Sequence, residues 1–248
     1  MSNVADVFSL LDVTYLYPSD DANAIEAVCN KAVFKSHHVA AVCIDPSFVK
    51  QARALLMGSP VKVATVANFP KGQDPLSDVV ALIHHVINEG ADEIDVVFPY
   101  RAYLSGDEQY AFDFIQACRV ASGQAVLLKV ILETGALKQA VHIEKASEIA
   151  CLAGADFLKT STGKIAVGAT VEAVDIMLSV IKRMPMTVGC KVAGGIRSLN
   201  DANRYIQRVV DQMGKDWLTP THFRIGASQL VDEIIARLSA LYPTDHHQ

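Results

Sequence analysis

Eight short apolar segments alternate along the chain with longer segments of helical periodicity. Each apolar segment holds five to eight residues, and most are almost continuously hydrophobic. Runs of this kind predict strands that are buried on both faces, as in a parallel sheet covered by helices. The predicted strands are residues 8–13, 39–44, 61–67, 93–98, 125–132, 156–160, 187–192 and 222–226.

Apolar residues between the predicted strands recur every three or four positions, which is the spacing of a helix packed on a sheet. The clearest helical segments are residues 75–90, 108–121 and 171–184. Eight strand–helix units without a Pro/Ser-rich linker predict a single (β/α)8 TIM barrel over residues 1–248, with a short polar C-terminal tail. An open doubly wound α/β sheet is the alternative, but eight units in a chain of this length favour a closed barrel.

Composition excludes several classes of function. Hydrophobic residues make up 51% of the chain and charged residues 20%, which allows a large core. The net charge of −5 is scattered along the sequence, so no basic patch indicates a nucleic-acid partner. No apolar run approaches the ~20 residues of a membrane span, so no membrane partner is expected.

The cysteines and the N-terminus indicate a compartment. No Cys-x-x-Cys pair occurs, and most cysteines lie in apolar patterns, which predicts buried thiols in a reducing environment. The first residues lack the basic and hydrophobic regions of a signal peptide, so we expect a cytoplasmic protein. The five cysteines are Cys29, Cys43, Cys118, Cys151 and Cys190.

Charged residues interrupt the apolar pattern of four predicted strands. Lys129, Lys159 and Lys191 lie inside three of them, and Asp95 lies inside the fourth. A buried, unpaired ammonium is costly, so such a lysine is paired or has a lowered pKa. A Lys–Asp pair that only seals the barrel interior is the alternative interpretation. Three lysines and only one nearby carboxylate favour a functional role instead, because the charges cannot all be compensated.

That role is amine chemistry. A lysine attacks a carbonyl carbon only when it is unprotonated, and burial beside a second cation lowers its pKa. Lys159 ends a predicted strand and is the predicted Schiff-base nucleophile, and Lys191 on the neighbouring strand would lower its pKa. Asp95 is the predicted proton shuttle. Lys129 is assigned a supporting electrostatic role.

Three glycine-containing loops follow the last three predicted strands, at residues 161–164, 193–198 and 226–228. Glycine lets backbone amides approach an anion, and barrels often hold phosphate with their last loops. Lys164, a flexible cation just outside the core, suits a phosphate group or another charged end of a substrate. The sequence therefore predicts a phosphate site beside Lys159.

The histidines do not form a metal-binding pattern. They occur mainly as adjacent pairs, such as His37–His38 and His84–His85, and no His-x-x-x-His motif is present. No metal and no cofactor are expected.

Five sequence blocks resemble the signature blocks of deoxyribose-phosphate aldolases, and shorter matches extend the resemblance over nearly the whole chain. The blocks are ADEIDVVFPYRA, LLKVILETG, ADFLKTSTGK, VGCKVAGGIR and FRIGAS. The resemblance implies a (β/α)8 barrel that reversibly cleaves 2-deoxy-D-ribose 5-phosphate into acetaldehyde and D-glyceraldehyde 3-phosphate. It also implies deoxyribonucleoside catabolism as the pathway and is compatible with a homodimer or a monomer.

The resemblance also implies roles for individual residues. Lys159 forms the Schiff base, Lys191 perturbs its pKa, and Asp95 relays protons. Thr162 positions a substrate hydroxyl or a catalytic water. The implied phosphate contacts are Gly163, Lys164, Gly194, Gly195, Gly226 and Ser228.

Three positions depart from the family pattern. Val192 stands where many members have a proline, which frees the backbone beside Lys191. Gln229 replaces a second serine after the Gly-Ala-Ser turn and alters one implied phosphate contact. Some members end in a mobile tyrosine that assists proton transfer, and the sequence gives no basis for equating Tyr242 with it.

Two other functions are compatible with these residues. A phosphate-binding barrel that acts as an isomerase or a synthase needs no covalent lysine. A phospho-sugar-binding or scaffold protein with a degenerate site has no turnover at all.

Overall fold

Eight parallel strands close into a barrel in the computed structural model, which describes residues 3–17 and 22–242. Each strand pairs with its neighbours along the chain, and the first strand pairs with both the second and the eighth. The predicted (β/α)8 barrel is confirmed, and the open sheet is excluded by this closure. The barrel strands are β1 Leu11–Tyr15, β2 Ala41–Ile44, β3 Lys62–Ala67, β4 Glu93–Val97, β5 Leu127–Ile131, β6 Phe157–Lys159, β7 Gly189–Ala193 and β8 Phe223–Ala227.

Helices surround the barrel and connect its strands. Two short 3-10 helices, Pro46–Phe48 and Lys215–Trp217, and a small hairpin of Val33–Phe34 with His37–His38 complete the described elements. The α-helices are α1 Val4–Ser9, α2 Ala22–Lys31, α3 Val49–Leu55, α4 Leu76–Asn88, α5 Tyr100–Leu104, α6 Glu108–Ser122, α7 Thr134–Leu137, α8 Ala140–Leu152, α9 Val171–Arg183, α10 Leu199–Met213 and α11 Leu230–Leu241.

Seven of the eight predicted strands match the observed ones within two residues at each end. The first prediction, residues 8–13, is wrong at its start, because residues 8 and 9 belong to α1. Val4, Val7 and Phe8 recur at helical spacing, and Asn3 caps the helix by accepting a hydrogen bond from the Ala5 amide at 3.3 Å. A short apolar run does not distinguish a strand from a buried helical turn.

The barrel interior is divided between an apolar side and a charged side. Alternate residues of β2 and β3, such as Val42 and Val63, join the large core between sheet and helices. Their neighbours along the strands point the opposite way, into the barrel, because strand side chains alternate in direction. This smaller interior cluster consists of Leu16, Ala41, Cys43, Ala64 and Val66. The rest of the interior carries buried charged side chains, which are described below.

The cysteine prediction is confirmed as far as packing is concerned, because all five cysteines are buried and free. Burial raises the pKa of Cys29 to about 11 and that of Cys118 to about 12, which makes these thiols inert. Within residues 3–17 and 22–242, no helix has both the length and the apolar character needed to cross a membrane. The predicted polar tail, residues 243–248, lies outside the described residues.

Gly189 on β7 has no side chain, and this allows the Phe157 ring to pack inside the barrel. A Cβ at residue 189 would lie 2.4 Å from the Cε1 atom of Phe157, which is buried. Gly189→Ala should therefore lower the free energy of unfolding by about 1–3 kcal/mol, the usual cost of overpacking. Urea unfolding followed by circular dichroism measures the change.

The matched control is the same substitution in a Phe157→Leu background, where the ring is absent. Gly189→Ala should cost much less there, because the clash has been removed. An equal cost in both backgrounds would show that the ring contact is not the cause.

Candidate active site

The side chains of Lys129, Lys159 and Lys191 converge on Asp95. Lys129 Nζ donates to Asp95 Oδ1 at 2.8 Å, and Lys159 Nζ and Lys191 Nζ each donate to Asp95 Oδ2 at 2.8 Å. The sheet register explains the convergence, because Lys159 pairs with Lys191 and Asp95 pairs with Lys129 on adjacent strands. The structure thus brings together the three residues predicted to be catalytic, and Lys129 with them.

Three further charged residues, which were not predicted from the sequence, complete this cluster. Arg224 donates to Asp12 Oδ1 at 2.7 Å and to Glu93 Oε1 at 3.1 Å. Asp12 Oδ2 lies 2.5 Å from the Lys191 ammonium, and Glu93 Oε2 lies 2.6 Å from the Lys129 ammonium.

The expectation of one carboxylate for three lysines was therefore wrong, since the cluster holds three carboxylates and a fourth cation. Asp12, Glu93 and Arg224 each interrupt a strand. A charged residue inside an otherwise apolar strand was the signal that identified the lysines, and it applies to these three residues as well. We call these seven side chains the buried charge cluster.

Lys191 is held in its charged form by its partners. Burial favours the neutral amine, but Asp12 and Asp95 outweigh burial and raise the pKa of Lys191. The same balance acts on Lys129, where Asp95 and Glu93 raise the pKa. Both lysines are therefore fixed cations near neutral pH.

Lys159 behaves differently. Burial has the largest effect and lowers the pKa of Lys159; Asp95 acts in the opposite direction, and the charge of Lys191 adds to the lowering. For Asp95, burial is outweighed by the three lysines, which lower its pKa well below the usual range. Lys159 is thus the lysine of the cluster that most readily gives up its proton.

A cavity of about 420 Å³ opens at the carboxyl ends of the strands, directly above Lys159. Asp95 and Lys191 do not line this cavity. Asp95 is hydrogen-bonded to Lys159, which does, and the Lys191 side chain packs behind the lining residue Gly226, where a Cβ would lie 3.2 Å from Lys191 Cε. Several further residues line the cavity although no sequence pattern predicted them, including Thr14, Tyr17 and Arg197. The predicted residues that line it are Lys159, Thr162, Gly163, Lys164, Gly194, Gly195, Gly226 and Ser228.

The loops after β6 and β7 meet backbone to backbone at the cavity. Gly194 and Gly195 both have φ of +88°, in the left-handed region that favours glycine. The amide of Ala169 donates to the Gly194 carbonyl at 3.1 Å, and a Cβ on Gly168 would lie 2.4 Å from that oxygen. Small residues are required here so that the two loops can form one continuous wall.

Lys164 is fixed rather than freely mobile. Its ammonium donates to the Leu16 carbonyl at 2.8 Å and lies 4.6 Å from the centre of the Tyr17 ring. These contacts connect the β6 loop to the end of β1 and hold a positive charge at the rim of the cavity. With the glycine amides and Arg197, this rim suits an anionic group.

The three departures from the family pattern occupy different places. Val192 is buried in β7 and pairs with Ile225 of β8. Gln229 lines the cavity just before α11 and therefore bears directly on what binds there. The Tyr242 ring contacts His37 of the small hairpin, with ring centres 5.4 Å apart.

Potential metal ligands do not cluster in the described part of the chain. No group of three or more His, Cys, Asp or Glu side chains there has an arrangement suited to a metal ion.

A closed barrel with a buried lysine beneath a cavity at its strand ends has the architecture of a barrel enzyme, because this end of the barrel carries the active site in such enzymes. The profile of the DeoC/LacD family aldolases matches residues 8–230. The chain belongs to this aldolase family.

Solved structures agree with this assignment. A protein from Coccidioides immitis, provisionally assigned as a deoxyribose-phosphate aldolase, is 30% identical, with a TM-score of 0.82 over 94% of this chain and 87% of its own. The aldolase QR15 is also 30% identical, with a TM-score of 0.80 over 95% and 99% of the two chains. The tetrameric deoxyribose phosphate aldolase of Aeropyrum pernix is 25% identical, with a TM-score of 0.78 over 96% and 93%.

The buried charge cluster makes Arg224 important for stability. Arg224→Met should leave Asp12 and Glu93 short of a cation and lower the free energy of unfolding by about 3–5 kcal/mol. Urea unfolding at neutral pH measures the loss.

Arg183→Met is the matched control, because Arg183 also contacts two carboxylates, those of Glu144 and Glu148 at 2.6 Å, but on the surface. Solvent screens this pair, so its removal should change stability far less. Similar losses in the two variants would contradict the assigned importance of the buried cluster.

Proposed function

We propose that the protein is a cofactor-free class I aldolase that reversibly cleaves 2-deoxy-D-ribose 5-phosphate into acetaldehyde and D-glyceraldehyde 3-phosphate. The observation that best supports this proposal is the balance of positive and negative charges around Lys159. Lys129, Lys191 and Arg224 each contact two or more carboxylates, whereas Lys159 contacts only Asp95 among the described residues. Four basic side chains share three carboxylates, so the cluster is neutral when Lys159 is an uncharged amine.

The proposed reaction begins with attack of the Lys159 amine on the C1 aldehyde of the open-chain sugar phosphate. Loss of water gives a protonated Schiff base, which acts as an electron sink. The C3 hydroxyl then loses its proton, the C2–C3 bond breaks, and its electrons move toward the iminium to form an enamine. Glyceraldehyde 3-phosphate leaves, C2 of the enamine is protonated, and water hydrolyses the imine to release acetaldehyde and Lys159.

The surrounding residues would support this sequence in different ways. Asp95 orients the Lys159 nitrogen and stabilises the positive charge of the iminium. Its lowered pKa makes it a weak base, so we assign it a proton relay through water rather than direct abstraction. Lys191 stays charged and keeps the pKa of Lys159 low, and Lys129 holds Asp95 in place.

The sugar phosphate is the proposed substrate because the cavity combines a reactive amine with an anion-binding rim. Lys164, Arg197, Ser228 and three glycines with positive φ line the cavity. Phosphate bound there would contribute binding energy that orients the C2–C3 bond above Lys159. The names of two relatives support the same substrate.

The working assembly is proposed to be a homo-oligomer, because the relative from Aeropyrum pernix is a tetramer. The homodimer that the sequence resemblance allows stays a prediction.

Trapping the imine tests the mechanism. Incubation with 2-deoxyribose 5-phosphate followed by borohydride reduction should leave a stable ethyl or sugar-phosphate adduct on Lys159, located by peptide mass spectrometry. Lys159→Leu should abolish both adduct and turnover, whereas Lys182→Leu, a change of an exposed lysine, should alter neither. Turnover without an adduct would favour a barrel enzyme that needs no covalent lysine, and absence of turnover would favour a binding protein.

The pH profile tests the role of Lys191. Activity requires the neutral amine, so kcat/KM rises as pH increases through the Lys159 pKa, which the cluster holds below the usual value of about 10.4. Lys191→Leu removes the neighbouring cation and leaves Asp95 to stabilise the Lys159 ammonium. The rising, acidic side of the pH profile, which we call the acid limb, should therefore move to higher pH. For each unit by which the Lys159 pKa rises, the fraction of neutral amine below that pKa falls about tenfold.

Lys191→Arg preserves the charge and is the control for this experiment. It should keep the acid limb near that of the unmodified protein, even if the maximal rate falls. An unchanged limb in Lys191→Leu would contradict the assigned role.

A further inference from the structure

Glu133 lies just behind the cavity wall in an unusual backbone conformation. It follows β5 and has φ of +56° and ψ of +58°, in the left-handed region that non-glycine residues rarely adopt. Its side chain is completely buried and belongs to neither the buried charge cluster nor the cavity lining. A strained, buried carboxyl group beside an active site points to a functional constraint.

The carboxyl group of Glu133 binds one residue of the cavity wall, Thr162, through both of its oxygens. The Thr162 amide donates to Oε1 at 3.3 Å, and the Thr162 hydroxyl donates to Oε2 at 2.5 Å. The amide of Lys164 in turn donates to the Thr162 hydroxyl oxygen at 3.1 Å. Two of these hydrogen bonds orient the Thr162 hydroxyl group, and the third fixes the Thr162 backbone against Glu133.

The turn that carries Glu133 is itself held against the β6 strand and its loop. The amide of Thr134 donates to the Thr160 carbonyl at 2.9 Å. A Cβ on Gly135 would lie 2.3 Å from the Val167 carbonyl oxygen, so the two segments are in direct backbone contact. Glu133 therefore approaches Thr162 from a fixed position.

These contacts determine what the Thr162 hydroxyl can offer a ligand. A hydroxyl has one proton and two lone pairs. Burial raises the pKa of Glu133, and the hydrogen bonds from Thr162 act against this rise by favouring the carboxylate. With Glu133 ionised, the hydroxyl proton points to Glu133 and one lone pair accepts from the Lys164 amide, so one lone pair is left for the cavity. In this arrangement Thr162 accepts a hydrogen bond from the ligand and does not donate one.

We propose that Glu133 is a positioning residue that holds the Thr162 hydroxyl as a hydrogen-bond acceptor for a hydroxyl group of the sugar phosphate. The inference rests on the proposed function and adds a determinant of substrate orientation to it. The substrate hydroxyl donates to Thr162, which aligns the bond to be broken above Lys159. Acetaldehyde has no hydroxyl group, so its reaction at Lys159 does not use this contact.

Glu133→Gln reverses the direction of the contact without changing its shape. The amide oxygen of glutamine can still accept from the Thr162 amide, but its NH₂ group donates to the Thr162 hydroxyl. The Thr162 proton then turns toward the cavity and opposes a donating substrate hydroxyl. We expect kcat/KM for cleavage of the sugar phosphate to fall by about tenfold or more, the effect of one misdirected hydrogen bond.

Two measurements separate positioning from a merely structural role. In the first, the Glu133→Gln protein is incubated with acetaldehyde and should still form the adduct that borohydride traps. In deuterated water it should also exchange the C2 hydrogens of acetaldehyde at a rate within about twofold of that of the unmodified protein. In the second, Glu133→Gln should cause little further loss of kcat/KM in a Thr162→Val background, where the hydroxyl is absent. Thr162→Ser keeps the hydroxyl and should retain the sensitivity to Glu133→Gln.

The outcomes are distinguishable. Equal losses from Glu133→Gln with and without the Thr162→Val substitution, or a parallel loss of acetaldehyde exchange, would overturn the positioning role while leaving the Schiff-base mechanism intact. If the unmodified protein forms no adduct and exchanges no deuterium, the proposed function fails, and this inference fails with it.

Discussion

The two carboxylate oxygens of Asp95 are shared by the nitrogens of three lysines inside a closed barrel, and the rest of the site depends on this interaction. Burial makes each charge expensive, so every member of the cluster must find partners within a few ångströms. Glu93 and Asp12 supply those partners for Lys129 and Lys191, and Arg224 pairs with the same two carboxylates. Lys159 is left with the fewest partners. An uneven distribution of carboxylates, rather than the mere proximity of two cations, therefore distinguishes Lys159 from the other lysines.

The fold makes this distribution possible. Asp12 and Arg224 are separated by most of the chain, yet they lie on adjacent strands because β1 and β8 close the barrel. The opposite side of the interior is filled by small apolar side chains of β2 and β3. These side chains confine the charges to one side, where solvent screening is weak and pKa shifts are large.

In the proposed function, the loops at the strand ends form the binding site for an elongated, anionic ligand next to this buried cluster. Gly168 and Gly194 allow two loops to form one wall, and Lys164 connects that wall to β1. Glu133 supports the same wall from behind through Thr162. In the proposed reaction, the cluster supplies the nucleophile, and the wall and rim decide which aldehyde is presented to it.

Much of this arrangement was predictable from sequence, because its physical signals are local. Apolar runs of strand length identified the barrel strands, and Lys129, Lys159, Lys191 and Asp95 stood out because charge does not belong in such runs. The start of the first strand was wrong, because the apolar run at residues 8–13 overlaps the end of α1 and so short a run fits a strand and a buried helical turn alike.

Only the tertiary structure decided how the charges are paired and which lysine is set apart. A sequence shows that a side chain is charged, but the pKa depends on distances to groups on other strands, and barrel closure sets those distances. The same holds for Glu133, whose left-handed backbone and contact with Thr162 have no local sequence signature. The sequence by itself determined the barrel and its candidate nucleophile. Both follow from local patterns: strand and helix segments alternate along the chain, and a charged residue interrupts an apolar strand. The electrostatic state of that nucleophile was decided by contacts between strands that are distant in the chain.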